Sequence, residues 1–191
     1  MTPRKKPPRR ATLTRDDWLA GAMELLRERG VGGVRILTLA QRMEVSRGSF
    51  YWHFRDLADL LDGMAEWWAR EMTDSVIRYT ETLSGRGARR LQALGEFILE
   101  SRLNRFDTAV RSWAQGDERA TAVLRRVMQK RLDYVSSLFR EAGFSPREAT
   151  ARGHLLAVYL MSEETVHMDE SVEMRLRLLR RQIRSLTKPS K

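Results

Sequence analysis

Residues 37–54, LTLAQRMEVSRGSFYWHF, combine two short helical patterns around a tight turn. Ala40 supplies the small residue that the first helix needs where the second helix crosses it, and Phe50 points inward from the second helix. The turn needs a residue that tolerates a left-handed backbone, followed by an apolar residue, and Glu44 and Val45 occupy these two places. Glu44 is a poor choice there and should cost about 1 kcal/mol relative to glycine. The pattern predicts a helix-turn-helix.

The second of these helices is poorly suited to burial, because most of its side chains are small, hydroxyl-bearing or basic. Ser46 is predicted to cap its N-terminus, where free backbone N–H groups can bind a phosphate, and Gly48 allows a close backbone approach. Phe54 is predicted to lie in the core, and for Tyr51 and Trp52 packing between helices is the alternative to an outward position. The helix therefore predicts a surface for the phosphates and base edges of double-stranded DNA. The predicted contacts are Thr38, Ser46, Arg47, Gly48, Ser49, Tyr51, Trp52, His53 and Arg55.

Basic residues are concentrated at the N-terminal end of the chain. Residues 1–55 hold 12 of the 35 Lys and Arg residues but only 5 of the 25 Asp and Glu residues, so most of the net charge of +10 lies there. This asymmetry favours a polyanionic partner. Residues 1–12 are predicted to be a disordered basic arm that contacts DNA, with a solubilising tail as the alternative. The basic residues of the arm are Arg4, Lys5, Lys6, Arg9 and Arg10.

An anionic membrane is the other partner that a basic end could face. No apolar segment reaches the roughly 18 residues that are needed to span a bilayer, and no apolar stretch follows the charged N-terminus as it would in a signal peptide. The chain also lacks cysteine, which excludes a disulfide scaffold, a thiolate metal site and a cysteine nucleophile. We therefore expect a cytoplasmic protein that has no membrane partner.

An enzyme is the first rival interpretation. The three histidines, His53, His154 and His167, include no pair with the close spacing of a metal site. The sequence has no glycine-rich phosphate loop and no nucleophile elbow. Adjacent Glu163 and Glu164 diverge in direction on a helix, which favours a solvated or interfacial face over a catalytic carboxylate pair. We expect no catalytic residue, no metal and no cofactor.

Beyond the predicted arm the chain follows a helical pattern, and the sequence contains no strand pattern and no internal repeat. Apolar residues recur at helical spacing from about Arg15 onward, and residues 84–87 form the clearest break after residue 55. We predict an all-α fold with about nine helices. The predicted domains are the arm at 1–12, a three-helix domain with the helix-turn-helix at 13–55, and a larger helical domain at 56–191.

The segment from residue 39 to residue 61 resembles the TetR family of bacterial transcription regulators. The residues that carry the resemblance are Leu39-Ala40, Val45-Ser46, Arg47, Gly48-Ser49, Phe50, Tyr51, His53-Phe54 and Leu60-Leu61. The resemblance extends over the first helix and covers about residues 14–61. Three residues depart from the family pattern: Arg35 where a threonine usually caps the second helix, Glu44 where glycine is frequent, and Leu57 where a lysine is frequent.

The resemblance implies a homodimer whose first three helices bind DNA and whose last two long helices, about 146–167 and 171–186, form a four-helix bundle with the partner. Residues 154–161 agree with this, because apolar side chains surround the helix on nearly all sides and need a cover beyond one subunit. A twofold dimer predicts a palindromic operator with half-sites roughly 34–36 Å apart, or at a related spacing. The predicted interface residues are Leu155, Val158, Tyr159, Leu176, Leu179 and Ile183.

The resemblance also implies that the domain at 56–191 binds a small-molecule effector, and that ligand binding tilts the fourth helix and changes DNA affinity. A pocket rich in Trp and Met favours an apolar or aromatic molecule. The predicted lining residues, each with core packing as its alternative, are Met64, Trp67, Trp68, Phe97, Phe106, Trp113, Met128, Tyr134 and Tyr159. The candidates for contact with a polar group of the ligand are Arg102, Arg111, His154 and His167. We expect a repressor, with an activator or a ligand-independent DNA-binding protein as the alternatives.

Overall fold

The computed structural model describes residues 13–188, and over this range the chain forms nine α-helices and no β-strand. The helices are α1 (Arg15–Arg29), α2 (Ile36–Arg42), α3 (Arg47–Phe50), α4 (residues 57–82), α5 (Ala88–Glu100), α6 (Asp107–Ala114), α7 (Glu118–Glu141), α8 (Pro146–Val166) and α9 (Val172–Leu186). Within the same range, no helix combines the length and apolar character that crossing a membrane requires. The prediction of an all-α fold with about nine helices is confirmed. The predicted basic arm at 1–12 lies outside the described residues.

The first helix begins and ends where its sequence signals predict. Thr14 and Asp17 form a capping box, in which the Thr14 hydroxyl accepts from the Asp17 amide (3.2 Å) and the Asp17 carboxylate accepts from the Thr14 amide (2.7 Å). The hydrogen bond from the Thr14 backbone lowers the pKa of Asp17. Gly30 ends the helix at a φ of 67°, which glycine adopts without strain. Both ends of α1 are therefore set by local sequence.

Aromatic side chains form the core of the first three helices. Trp18 of α1 meets the Phe50 ring edge-on, with ring centres 5.7 Å apart, and Phe50 stacks on Phe54 at 5.2 Å. These three side chains are buried, as are Leu39 and Ala40 of α2. The predicted inward positions of Ala40, Phe50 and Phe54 are confirmed. This core holds α3 in one position against α1.

The fourth helix connects the first three to the rest of the chain. Its two α-helical parts, Leu57–Ala69 and Ser75–Thr82, are joined by a π-helical turn at Arg70–Asp74. One apolar core includes residues of α1, α2, α3, α4, α6 and α7, so it crosses the predicted domain boundary after residue 55. A second core includes the last part of α4 together with α5, α7, α8 and α9. Helices α4 and α7 therefore pass through both cores.

Two glycines allow helices to pack closely in the second core. A Cβ at Gly153 of α8 would lie 2.5 Å from Ser136 Oγ and 2.8 Å from Ser136 Cα on α7. A Cβ at Gly95 of α5 would lie 2.9 Å from Leu179 Cδ2 on α9. Because real Cβ atoms do not approach backbone atoms so closely, the contact at Gly153 requires glycine, whereas at Gly95 a shift of the Leu179 side chain could make room.

Candidate functional site

The turn between α2 and α3 has the backbone geometry that its sequence predicts. Glu44 has a φ of 54°, the left-handed conformation expected at this place. The Val45 amide donates to the Ala40 carbonyl at 3.0 Å, and the Val45 side chain packs against the core. Ser46 occupies the N-cap position of α3, but its hydroxyl accepts no hydrogen bond from the helix. The predicted cap by the Ser46 side chain is therefore wrong, and this residue is exposed beside the helix.

We expect Glu44→Gly to stabilise the folded protein by up to about 1 kcal/mol, because glycine adopts a positive φ without the repulsion that a Cβ introduces. Chemical denaturation measures the free energy of unfolding. Glu44→Ala is the matched control, since alanine removes the same carboxylate and its contacts but keeps the Cβ. An equal gain in stability for the alanine variant would contradict the backbone explanation.

The third helix and the turn after it present an exposed polar and aromatic surface. Arg47 Nη2 donates to Tyr51 Oη at 3.1 Å, and the guanidinium carbon lies 5.9 Å from the centre of the Tyr51 ring. Tyr51 is half exposed and Trp52 is 88% exposed, so packing within the subunit does not account for Trp52. A Cβ at Gly48 would meet only Ser46 Oγ, at 3.7 Å, so the described chain itself does not require glycine there. The missing side chain instead leaves the backbone of α3 open to an external partner.

The other predicted DNA-contact residues are less exposed, or their side chains already contact other residues of the chain. The His53 ring centre lies 6.3 Å from that of the buried Trp18. Arg55 is exposed, and its Nε lies 3.6 Å from the Asp59 carboxylate at the start of α4. The half-buried members of the predicted set are Thr38, Ser49 and His53.

Two departures from the family pattern have local consequences. Arg35 occupies the N-cap position of α2 without capping it, and its Nε donates instead to the Gly32 carbonyl at 3.3 Å. Leu57, which stands where lysine is frequent, packs against the apolar core. This position therefore offers no cation to a phosphate.

Arg15 of α1 links the end of the exposed surface to the start of α4. Its Nη1 donates to the His53 carbonyl (3.2 Å), and its Nη2 donates to the Asp59 carboxylate (3.1 Å). The guanidinium also lies over the Phe54 ring, 4.5 Å from its centre. The Arg55 amide donates to the same carboxylate (3.0 Å), and this bond, together with Arg15, lowers the pKa of Asp59. The start of α4 is therefore joined to the turn after α3 through Arg15 and Asp59.

A partly open cavity of about 50 Å³ lies between α4, α5, α7 and α8, next to the start of α6. Most of its wall is aliphatic, and its polar residues are Thr73, Asn104, Asp107, Arg131 and Tyr134. At this size it has room for a few water molecules, whereas a molecule of drug size needs roughly 300–1,000 Å³. A larger ligand therefore requires the wall to move.

The cavity is not where the sequence predicted a pocket, because only Tyr134 of the nine predicted residues lies in its described wall. The residues that lie instead in or against the core shared with α1 are Met64, Trp67, Trp68, Phe106, Trp113 and Met128. Phe97 packs against Tyr79 with ring centres 4.3 Å apart, and Tyr159 faces His167 at 6.1 Å. The polar candidates that are also absent from the wall are Arg102, Arg111, His154 and His167. Large aromatic side chains fill the core because they bury the most apolar area.

A buried ion pair that the sequence did not predict borders the cavity. Asp107 is 1% exposed, and its carboxylate accepts from Arg131 Nη1 (2.6 Å) and from Trp68 Nε1 (3.1 Å). Arg131 also donates to the Thr73 hydroxyl (2.9 Å) and to the Met72 carbonyl (3.1 Å) in the π-helical turn of α4. In the sequence, Asp107 cannot be distinguished from an ordinary acidic residue in the first turn of a helix.

An apolar face of α8, continued by the turn to α9 and by α9 itself, is exposed in the single chain. Leu155 and Val158 are more than half exposed, whereas Leu156 and Ala157 between them are buried in the subunit. The other exposed apolar residues of this face are Val166, Met168, Val172 and Met174. The segment 154–161 therefore has one apolar side that its own subunit does not cover.

The predicted interface includes two residues that cannot reach a partner. Leu179 and Ile183 are buried against Gly95 of α5 in the same subunit, so their assignment to the interface is wrong. Tyr159 and Leu176 are half-buried and pack against the second core. Helical spacing marks α9 as amphipathic, but it does not say which neighbour covers the apolar side.

The sequence of the first helices is similar to known bacterial regulators. Residues 19–64 match the family model described as bacterial regulatory proteins, tetR family. The chain is 44% identical over 48 residues to the tetracycline repressor protein class A from transposon 1721 of Escherichia coli, over 25% of this chain and 22% of that protein. It is 32% identical over 98 residues to the tetracycline repressor protein class G of Vibrio anguillarum, over 51% of this chain and 41% of that protein. Each match spans less than half of the repressor's own length.

The fold is shared with solved structures over nearly the whole chain. A TetR transcriptional regulator from Legionella pneumophila has the same fold with a TM-score of 0.77 and 14% identity, over 93% of this chain and 99% of that one. Both structures combine a helix-turn-helix with a larger helical domain behind it. Residues 19–64 are thus similar in sequence to the tetR family of bacterial regulatory proteins, and the rest of the described chain shares the fold of the Legionella regulator.

Proposed function

We propose that this protein is a cytoplasmic, ligand-responsive transcriptional repressor that binds a palindromic operator as a homodimer and is released by a small effector. The observation that carries the proposal is the exposed surface of α3 and the turn after it, where Arg47, Tyr51 and Trp52 lie uncovered on a helix-turn-helix. The matched curated proteins are named repressors, which supports repression over activation.

Each residue of this surface suits a particular kind of contact with DNA. The Arg47 guanidinium fits a guanine edge or a phosphate. The Tyr51 hydroxyl accepts from Arg47 and keeps its own hydrogen for a phosphate oxygen. Trp52 offers an apolar ring to a sugar or a thymine methyl group, and Gly48 leaves room for the DNA backbone. The basic arm at 1–12 would add phosphate contacts in the adjacent minor groove.

We expect Tyr51→Phe and His53→Ala each to weaken binding to all duplex DNA by a similar factor of about ten, because contacts to phosphates carry no sequence information. Arg47→Ala is expected instead to relax sequence preference, since an arginine bonded to a guanine edge discriminates by about 1–3 kcal/mol. Fluorescence anisotropy measures both effects. The probes are the intergenic DNA beside the gene and a random duplex of equal length, each at several salt concentrations.

Arg42→Ala is the matched control for these variants. It removes the same charge from the same domain, but Arg42 donates to both carboxylate oxygens of Glu28, at 2.7 and 2.9 Å. We expect its removal to leave DNA affinity nearly unchanged. If Arg42→Ala and Arg47→Ala weaken DNA binding equally, the affinity depends only on the net charge of the domain. The assignment of α3 as the DNA-binding helix would then be wrong.

The exposed apolar face of α8 and α9 supports the homodimer. Packing this face on its twofold copy would remove Leu155 and Val158 from water, which is the main driving force of stable association. A twofold axis at this face would give the dimer two copies of α3. Two half-sites roughly 34–36 Å apart, or at a related spacing, would then explain a palindromic operator.

The course of α4 supports a physical connection between an effector and DNA. Its π-helical turn borders the cavity, and its first residues are bonded to the turn after α3 through Arg15 and Asp59. π-Helical turns are rare in proteins, but those that occur are often found at functional sites. An effector lowers DNA affinity only if it binds more tightly to a conformation with a shifted α4 than to the DNA-competent one.

A further inference from the structure

Two polar atoms in the cavity wall lack a hydrogen-bond partner among the described residues. Asn104 is 6% exposed, and its Nδ2 donates to the Leu160 carbonyl at 3.0 Å, which leaves Oδ1 without a donor. This bond also fixes the orientation of the amide, because the Leu160 carbonyl can only accept. Tyr134 lines the same wall, and its buried hydroxyl lies beside the Thr80 side chain without a well-formed hydrogen bond. Buried polar groups are normally satisfied, so both atoms indicate a missing partner.

The charge in the cavity wall is already balanced. Asp107 and Arg131 are the two charged residues of the described wall, and their side chains form an ion pair of 2.6 Å. Arg131 has further partners in the Thr73 hydroxyl and the Met72 carbonyl, and Asp107 has one in Trp68. A charged ligand would therefore enter a buried site without a counter-ion, which is strongly unfavourable.

We propose that this cavity binds a neutral, mainly apolar molecule that carries a hydroxyl or N–H group, with Asn104 Oδ1 accepting its hydrogen and the Tyr134 hydroxyl as its second polar partner. The inference rests on the proposed function and gives the chemical class of its effector. The aliphatic wall takes the body of the molecule, and the two unpaired atoms take its polar end.

Contacts in the cavity wall explain how binding of such a molecule affects α4. The cavity of about 50 Å³ must widen to accept it. Met72 and Thr73 belong to both the wall and the π-helical turn, and both are bonded to Arg131. Widening the cavity on the side of α4 displaces the turn or breaks its bonds to Arg131, and either change moves the helix that leads to the DNA-binding surface.

Three probes that share a phenyl ring test the chemistry on the full chain: benzyl alcohol, toluene and benzoate. Thermal shift and calorimetry are expected to show saturable binding of benzyl alcohol, about tenfold weaker binding of toluene because one hydrogen bond is lost, and no binding of benzoate. Saturable binding of benzoate that exceeds the alcohol would overturn the proposal in favour of an anion site. Equal binding of alcohol and toluene, or no binding of any probe, would overturn it as well.

Tyr134→Phe and Asn104→Leu locate the site. Each is expected to reduce the preference for benzyl alcohol over toluene, and Tyr134→Phe should keep or raise the melting temperature because it removes an unpaired buried hydroxyl. Tyr159→Phe is the matched control, since its hydroxyl is also buried and unpaired but lies outside the wall. Burial raises the pKa of both hydroxyls, that of Tyr159 to about 12. An unchanged preference in a folded Tyr134→Phe variant and in a folded Asn104→Leu variant would overturn the proposal.

Binding of the wild-type protein to its intergenic DNA, without any probe, separates this proposal from the proposed function. If DNA binding holds and the alcohol preference is absent, the ligand chemistry is wrong and the DNA-binding role stands. If DNA binding fails while the preference depends on Asn104 and Tyr134, the cavity chemistry stands and the regulatory role falls.

Discussion

Leu155→Glu combined with Val158→Glu is expected to make the protein monomeric and to lower its affinity for palindromic DNA by about 10²–10⁴-fold, because a monomer loses the effective concentration that links two half-site contacts. Both side chains are more than half exposed in the single chain, so the glutamates do not disturb the subunit's own core. In the proposed dimer they would bring four negative charges into an apolar interface, where charges are strongly unfavourable. The folded state should therefore survive and the association should not.

Light scattering after size-exclusion chromatography measures the mass, and anisotropy with the intergenic duplex measures the affinity. Thr150→Glu is the control, because it is exposed on the same helix but lies about 140° around α8 from Leu155. It should remain dimeric and keep its DNA affinity. A double variant that stays dimeric, with the same affinity as Thr150→Glu, would show that this face is not the interface.

Asp107→Asn is expected to lower the free energy of unfolding by about 3–5 kcal/mol, because it leaves the largely buried Arg131 charge without a counter-ion. Asparagine has nearly the same shape as aspartate and can still accept a hydrogen bond from Trp68. The loss of stability therefore measures the missing charge and not an empty space left by a smaller side chain. Urea denaturation of the wild type and the variant gives the difference directly.

Glu66→Gln is the control for burial. It breaks an ion pair between Arg126 and Glu66 that has the same 2.6 Å separation, but both of its side chains are more than half exposed. We expect this change to lower the free energy of unfolding by at most about 1 kcal/mol. Adding Arg131→Met to Asp107→Asn should recover part of the lost stability, because no buried charge is then left unpaired. Equal losses for Asp107→Asn and Glu66→Gln would contradict the argument from burial.

The helix-turn-helix could be predicted residue by residue because its determinants are local. Ala40, Glu44 and Phe50 act within a few residues of one another, and the structure confirms the left-handed turn and the buried aromatic. The exception is Ser46, which lies at the cap position without making the cap. A propensity describes which residue is favoured at a place, but whether its hydroxyl turns toward the helix depends on the local geometry.

The cavity that we propose as the effector site could not be predicted in the same way, because its position depends on which helices meet. Trp68 and Met64 are of the residue types that predicted a pocket, but in the structure they fill the core between α1 and α4. The wall is instead made by Thr73, Asn104 and Arg131, which come from three separate parts of the chain. No local pattern brings these residues together.

The sequence by itself determined the all-α fold, the helix-turn-helix and the polar, aromatic residues on α3 and in the turn after it, since helical periodicity and turn chemistry act over a few residues. Only the tertiary structure decided that Leu155 is exposed while Leu179 is buried, although both are apolar residues at helical spacing. It also decided where the cavity lies and that Asp107 and Arg131 meet there. The physical reason is that burial and ion pairing depend on contacts between helices distant in sequence, which spacing within one helix does not specify.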